Sequence, residues 1–226
     1  MTDNKEKLSL KFNDAVYDYL YLLEKDYPVC ATIKLVADRY RLPCLDRSVL
    51  VRGIVKREKA VIRKGKQVKE KTLKKQEVFI DGYNILITII SYLSGDFLYI
   101  ANDGYLRDAA ESHGKIKKES ILNKALDLLF EYILELESAL FYFFWDSPVS
   151  KSKELNKKIN MLLVKHGISG ESRVVKSADY HLIKAPDKIS ATSDSVIIDK
   201  NERIFDLAYF TLKYHFKPEF ISLEGY

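Results

Sequence analysis

EVFIDGYNILITIISYL, residues 77–93, decides how the rest of the chain is read. EVFID is a short apolar strand, and NILITIISYL follows it at once as a helix. The same alternation continues downstream. DFLYIAND (96–103) is expected as the second strand and ESILNKALDLLFEYILE (119–135) as a long amphipathic helix. SALFYFFWD (138–146) is the third strand, PVSKSKELNKKINMLLVKHG (148–167) the next helix, and SRVVKSAD (172–179) the fourth strand. KISATSD (188–194) reads as a fifth, followed by a turn or helix and DLAYFTLKYHF (206–216). Repeated βα units imply an α/β fold with a mainly parallel central sheet flanked by helices.

Upstream the rhythm is helical. FNDAVYDYLYLLE (12–24) spaces its apolar residues one helical turn apart, with Asn13 or Asp14 available as a cap. CATIKLVADRY (30–40) repeats the pattern, and a third helix is expected to begin after Pro43 and run through LDRSVLVRGIVKRE (45–58). Residues 1–58 therefore read as a small all-α module. The stretch ADRYRLPCLDRSVLVRGI (37–54) has helix–turn–helix rhythm, with Arg47 and Arg52 on its third helix. Residues 59–76 read as a basic linker or hairpin in which Gly65 separates AVIRK from KQVKEK; a β-hairpin and a broken helix both fit. The α/β domain then occupies residues 77–226.

A chain of 226 residues, 47% apolar and 31% charged, has the balance of a folded protein and excludes extensive disorder. The start lacks the apolar core of a secretory signal, and the longest apolar runs fall short of the roughly 20 residues needed to span a bilayer. Cys30 and Cys44, the only cysteines, form no CxxC pair, so neither a disulfide framework nor a zinc site is expected. No membrane association and a cytoplasmic location follow as expectations. The net charge is +5, but between Arg52 and Lys75 eleven Lys or Arg face two acids, a local +9 that leaves −4 for everything else. Such a band suits a polyanion, because each neutralised phosphate releases counterions. It also suits a solvated helix, the commoner use of a Lys-rich run.

The acids are placed to do chemistry. Asp81, Asp103, Asp146 and Asp194 are expected to end strands, and Asp179 to follow one. In a parallel sheet all such ends share one rim, where open α/β sheets bind ligands. Any one of these acids could simply cap the next helix. Five together repel one another unless a cation intervenes, and hard oxygen ligands suit Mg²⁺ or Mn²⁺. Such ions activate water against a phosphodiester and stabilise the leaving oxygen. Asn84, on the first helical turn, faces the same rim, as does Ser193 beside Asp194. Asp108, next to Arg107, is a candidate supporting group or a surface ion pair. Ser147, Ser150 and Lys151 cluster where a Pro-started helix begins, a place suited to phosphate. No GxGxxG or Walker sequence follows a strand, and His113, His166, His181 and His215 lack metal-ligand spacing.

VFIDGYNIL resembles the opening strand of PIN and PIN-like (NYN-type) nucleases, in which an Asp and a nearby Asn follow the first strand. FFWDSP and ATSDS resemble later acidic strand ends of that superfamily. DGYNILIT, DGYLRD, DSPVSKS and ATSDSVIID are similar to the family of unknown function numbered 5616, and the helical module to that numbered 434. The resemblance covers nearly the whole chain. It implies a metal-dependent ribonuclease fold, with Asp81, Asp103, Asp146 and Asp194 at catalytic positions and Asp81, Asp146 and Asp194 holding Mg²⁺ or Mn²⁺. Asn84, Asp108, Asp179 and Ser193 would support them. One departure is Asn102–Asp103, where two adjacent acids are expected before the glycine; one fewer charge there would favour a single ion. The expected partner is nucleic acid, RNA favoured over DNA, gripped by Lys56, Arg57, Arg63, Lys64, Lys66, Lys69, Lys71 and Lys151. A homodimer is compatible, since many PIN-like proteins are dimers. The alternative is a non-catalytic nucleic-acid-binding or regulatory protein with a degenerate PIN-like site.

Overall fold

The computed structural model describes residues 8–109, 119–136, 140–147 and 152–226. The chain begins with α1 (Phe12–Glu24), α2 (Val29–Tyr40), α3 (Cys44–Gly53) and α4 (Arg57–Gly65), then a 3-10 turn (Glu70–Leu73). It continues through β1 (Glu77–Asp81), α5 (Gly82–Ser94), β2 (Leu98–Ile100), β3 (Leu106–Asp108), α6 (Glu119–Glu135) and β4 (Leu140–Asp146). After these come α7 (Ser152–Lys165), β5 (Gly170–Val175), α8 (Ala178–Ile183) and β6 (Ile189–Ala191). α9 (Ser195–Lys200), β7 (Ile204–Phe205), α10 (Leu207–Phe216) and β8 (Ile221–Ser222) complete it. Among the described residues no helix is long and apolar enough to cross a membrane.

Two compact units result. One gathers Met1–Gly65, Ser94–Glu111 and Glu219–Tyr226; the other holds Lys66–Leu93 and Ser112–Pro218. This differs from the expected cuts at 58 and 76. Tyr99, Ala101, Ala109 and Leu223 are buried in the same apolar core as Phe12, Tyr19, Val36 and Leu50 from the N-terminal helices.

In the first unit, α2 stops at Arg41, whose left-handed backbone (φ 52°) sends amides back to Ala37 and Asp38, and Pro43 then opens α3. α3 is shorter than expected, ending at Gly53 rather than running on to Glu58. A side chain at Gly53 would stand 2.6 Å from the buried Tyr99 ring, so the glycine makes room for that ring. Beyond it, the Asn102 side chain accepts from the Val55 amide (3.1 Å) and donates to the Val55 carbonyl (2.8 Å). That double bond holds Val55 outside any helix, and α4 restarts at Arg57. Of the two basic arms around Gly65, AVIRK lies in α4, while KQVKEK leaves the helix for a bridge from Gln67 to Ile204 and the start of the 3-10 turn, so the arms do not pair as a hairpin.

β2 corrects a second expectation. It lies outside the parallel sheet, pairing antiparallel with β3 and parallel with β8 in a three-stranded sheet of the first unit. The cause is the turn at Asn102–Tyr105: Gly104 takes φ 82°, and Ala101 accepts its amide at 2.9 Å. An Asp-Gly pair between two apolar runs is a hairpin signal, and here it outweighs the βα rhythm.

The second unit carries the parallel sheet, with strand order β5-β4-β1-β6-β7 and every pairing parallel. Its helices provide the flanking layers expected of βα units. From β1 the chain steps outward to β4 and β5, then returns to the other side of β1 for β6 and β7. The order therefore reverses between β1 and β6. Clefts at such a reversal, outside the carboxyl ends of the strands, are where open α/β sheets bind ligands. Val78 and Ile80 of β1 are buried, as is Trp145 of β4, whose indole N–H donates to Ser172 Oγ of β5 at 2.7 Å.

Gly82 joins β1 to α5 without a loop, and a Cβ there would stand 2.5 Å from the Trp145 ring. Gly82→Ala is expected to destabilise the second unit by roughly 1–3 kcal/mol, the usual cost of overpacking. Trp145, the only tryptophan, reports the change directly. A denaturation curve followed by its emission that matches wild type would show that the ring yields without cost.

Candidate functional site

Four of the five acids expected on the rim belong to the sheet unit. Asp81 is the final residue of β1 and Asp146 of β4; Asp194 precedes α9 just beyond β6, and Asp179 is in the first turn of α8 beyond β5. In the parallel register Asp81 aligns with Phe144 and Asp146 with Val175, so all four stand at carboxyl ends.

Asp81 sits at the point of reversal and is 6% exposed. Its Oδ1 accepts from the Asn84 amide (3.3 Å) and its Oδ2 from the Thr192 hydroxyl (3.2 Å). Burial pushes its pKa up to about 7 despite those bonds, and the nearby Asp179 and Asp194 carboxylates add to the rise. Asp179 is also raised, by burial first and then by Asp194 and Asp146. These carboxylates therefore feel one another, as crowding on one rim requires.

The carboxyl ends of β1 and β6 are laced together by short polar side chains. The Asn84 side-chain oxygen accepts from the Ser193 amide (2.9 Å) and hydroxyl (3.2 Å). Thr192 Oγ1 also accepts from the Asp194 amide at 3.0 Å. Asn84 thus ties the start of α5 to the loop after β6 through its side-chain oxygen. Asp194 Oδ1 caps α9 through the Val196 (2.7 Å) and Ile197 (3.3 Å) amides, and Asp146 Oδ1 accepts from the Ala178 amide at 2.8 Å. The capping role weighed for each acid is realised in Asp194, and in Asp81 through the Asn84 amide on the first turn of α5. Asp146 instead reaches the first residue of α8 and not the helix that follows it; Asp194 and Asp146 each use only one oxygen in these bonds.

Thr192 was not singled out by sequence reasoning, nor was Tyr83. Tyr83 follows Gly82 on the first turn of α5, its ring edge-on to Trp145 at 5.2 Å. It is 7% exposed, and its buried hydroxyl has no hydrogen-bond partner among the described residues. Burial and the Asp146 carboxylate push that hydroxyl up to about 12. The only signal in the sequence was position, between two residues already marked.

Asp103, expected on the rim, is in the other unit. It is fully buried and shared by two guanidiniums: Arg63 Nη1 at 2.9 Å, and Arg107 through Nη1 at 2.9 Å and Nη2 at 2.8 Å. Its neighbour Asn102 needs an amide rather than a carboxylate, because the Val55 carbonyl requires a donor. The missing acid at 102 thus has a structural reason unrelated to metal. Asp108 is likewise in the first unit, buried and 3.4 Å from Arg52; burial raises its pKa against that guanidinium's pull.

The expected phosphate grip is dispersed as well. Arg63 is committed to Asp103. Lys56 is paired with Asp26, and Lys64 with Glu224 at 2.7 Å. Arg57 is exposed at the start of α4. Lys66 Nζ donates to the Ile198 carbonyl near the end of α9 at 3.0 Å. Lys69 and Lys71 are exposed on the segment that precedes β1. In that segment Gln67 bridges Ile204, the first residue of β7, and Gln76 O accepts from Leu140 N, the first residue of β4. Residues 66–76 therefore line the amino ends of the strands. β1 separates them from the acids by its own length, about 15 Å at 3.3 Å per residue. Lys151 lies outside the described residues.

Hard carboxylate oxygens at the rim suit a divalent ion, but the fit has a limit. Among the described residues no three His, Cys, Asp or Glu are gathered closely enough to hold a metal as they stand. The donors fit an ion such as Mg²⁺ that keeps most of its water and takes one or two carboxylates. They do not fit an all-protein cage.

Comparisons with known proteins divide the sequence between residues 66 and 70 and not by the two units, since the downstream match takes in Ser94–Glu111 of the first unit. Residues 70–210 match the family described as Domain of unknown function (DUF5616), and residues 11–66 match Protein of unknown function (DUF434). An uncharacterized protein of Methanocaldococcus jannaschii is 33% identical over 195 residues, covering 86% of this chain and 92% of that protein. No solved structure matches. The chain belongs to the DUF5616 family, carrying a DUF434 segment ahead of its parallel sheet.

Proposed function

We propose that the carboxyl rim of the parallel sheet is a Mg²⁺- or Mn²⁺-dependent, PIN-like phosphodiesterase site acting on nucleic acid, with RNA favoured over DNA. The observation that carries this reading is Asp81, a buried carboxylate at the reversal of strand order, pushed up to about 7 by burial and two neighbouring acids. A carboxylate kept so far from its solution range is characteristic of functional sites, and a bound cation would relieve the repulsion. In this reading Asp81 holds the ion, with Asp146 or Asp194 as the second carboxylate. Asp179 keeps the local field negative, and Asn84, Thr192 and Ser193 fix the backbone around Asp81. The ion would supply an activated water and neutralise the phosphate.

The test is cleavage of end-labelled single-stranded RNA with Mn²⁺ or with EDTA, comparing wild type with Asp81→Asn/Asp146→Asn. Metal-dependent cutting by wild type that disappears in the double variant is the expected result. A wild type that cuts neither RNA nor DNA sinks the proposal. A second reading is a nucleic-acid-binding protein that cuts nothing, favoured by the lack of a gathered three-acid group among the described residues. It is recognised by salt-sensitive binding without cleavage.

A further inference from the structure

The rim contains a buried donor with nothing to donate to. Tyr83 is more than nine-tenths buried, and among the described residues its hydroxyl is without a hydrogen-bond partner. Leaving such a group unsatisfied is unfavourable, so one that persists at a site calls for an acceptor that arrives or turns toward it. The candidate acceptor is Asp146. Tyr83 packs edge-on against Trp145, the residue before Asp146, and the Asp146 carboxylate adds to burial in raising the phenol. Asp146 uses Oδ1 to hold the Ala178 amide, whereas Oδ2 makes no hydrogen bond among the described residues. Asp146 is also only partly buried, whereas Tyr83 is buried.

We propose that Tyr83 is the positioning residue for Asp146, its hydroxyl donating to Asp146 Oδ2 when that carboxylate takes a divalent cation. The inference rests on the metal-site reading above. It gives the hydroxyl a job that phenylalanine cannot perform: fixing which way the carboxylate faces once it is a ligand. Partners of this kind hold ligands in place, and their loss typically weakens metal binding 10- to 100-fold.

The test is Mn²⁺ titration of the full chain, read by quenching of Trp145, the only tryptophan. Wild type, Tyr83→Phe, Asp146→Asn and the double variant are compared. The expected result is that Tyr83→Phe binds Mn²⁺ about tenfold more weakly. Its metal-free melting temperature should equal or exceed that of wild type, because no bond is lost. In the Asp146→Asn background the same change should add nothing. Equal Mn²⁺ affinity in wild type and Tyr83→Phe overturns the inference while leaving the metal site standing. So does an additive loss in the double variant, which would place the hydroxyl's action elsewhere. A clear drop in the metal-free melting temperature also overturns it, since the hydroxyl would then serve the fold. Wild type that binds no Mn²⁺ sinks the metal-site reading and this inference together.

Discussion

Asp81→Asn should melt at a higher temperature than wild type above pH 7 while cutting nothing. The folded state holds this carboxyl at a pKa of about 7, whereas the unfolded chain holds it near 3.9. Below about pH 4 both states carry the proton, and the favourable contribution is fully present. Between pH 4 and 7 the folded protein keeps a proton that the unfolded chain has released. Stability therefore falls by about 1.4 kcal/mol per pH unit. Above about 7 the contribution is gone and the dependence flattens. In the variant, the new side-chain oxygen keeps the bond from the Asn84 amide, and the Thr192 hydroxyl can turn to accept from the new side-chain nitrogen. The charge is lost without the contacts. At pH 8 this amounts to a few kcal/mol, several degrees in melting temperature for a chain of this size. The check is thermal melting of both proteins from pH 4 to 9 in EDTA. Parallel curves would mean that Asp81 is solvated and ordinary, and the case for the rim as a tuned site would fall with it. Added Mn²⁺ should stabilise wild type more than the variant.

Asp103→Ala should do the opposite. It removes the carboxylate that Arg63 and Arg107 share, in a place where the three side chains are no more than 5% exposed. Breaking a buried ion pair by deleting one partner typically costs 3–5 kcal/mol, because charge is left buried without its counterpart. The first unit should lose that stability. The measurement is urea denaturation followed by circular dichroism, with Trp145 emission reporting the sheet unit separately. If Asp103 were a rim ligand, its loss would leave stability unchanged or improved and abolish metal-dependent activity. That outcome would refute the placement of Asp103 in a buried ion triad.

These two aspartates show what the sequence could and could not convey. Both follow an apolar run, and both precede a glycine, Asp81–Gly82 and Asp103–Gly104. After Asp81 the apolar spacing is helical for three turns, so the chain enters a βα unit. After Asp103 comes a second short strand, LRD, and the Asp-Gly pair becomes a hairpin turn. The distinction was present in the residues downstream, but the regular alternation of the other elements hid it. The parallel sheet, its flanking helices and the N-terminal helices were legible because their periods are strong. The shortness of α3 was not, because it depends on a ring 46 residues away filling the space beside Gly53. Charge was the least transferable signal. The Lys-rich band looks uniform in one dimension, yet Arg63 is buried in an ion triad, Lys66 closes a helix end, and Lys69 and Lys71 stay in solvent. Tyr83 was invisible for a related reason, since an unmade hydrogen bond leaves no trace in composition.

The first unit has a consequence for how the protein is made. It is assembled from three stretches of chain, and the third includes β8, which pairs with β2, and Leu223, only 2% exposed in its core. A ribosome releases α1 to α4 early, but the core they contribute to lacks a strand until residues 219–226 have been translated. The parallel sheet, whose strands all precede residue 206, can close first. Synthesis order and assembly order are thus inverted: the half of the unit born first is completed last. During that interval the core lacks Leu223, and the apolar surface that it covers stays open.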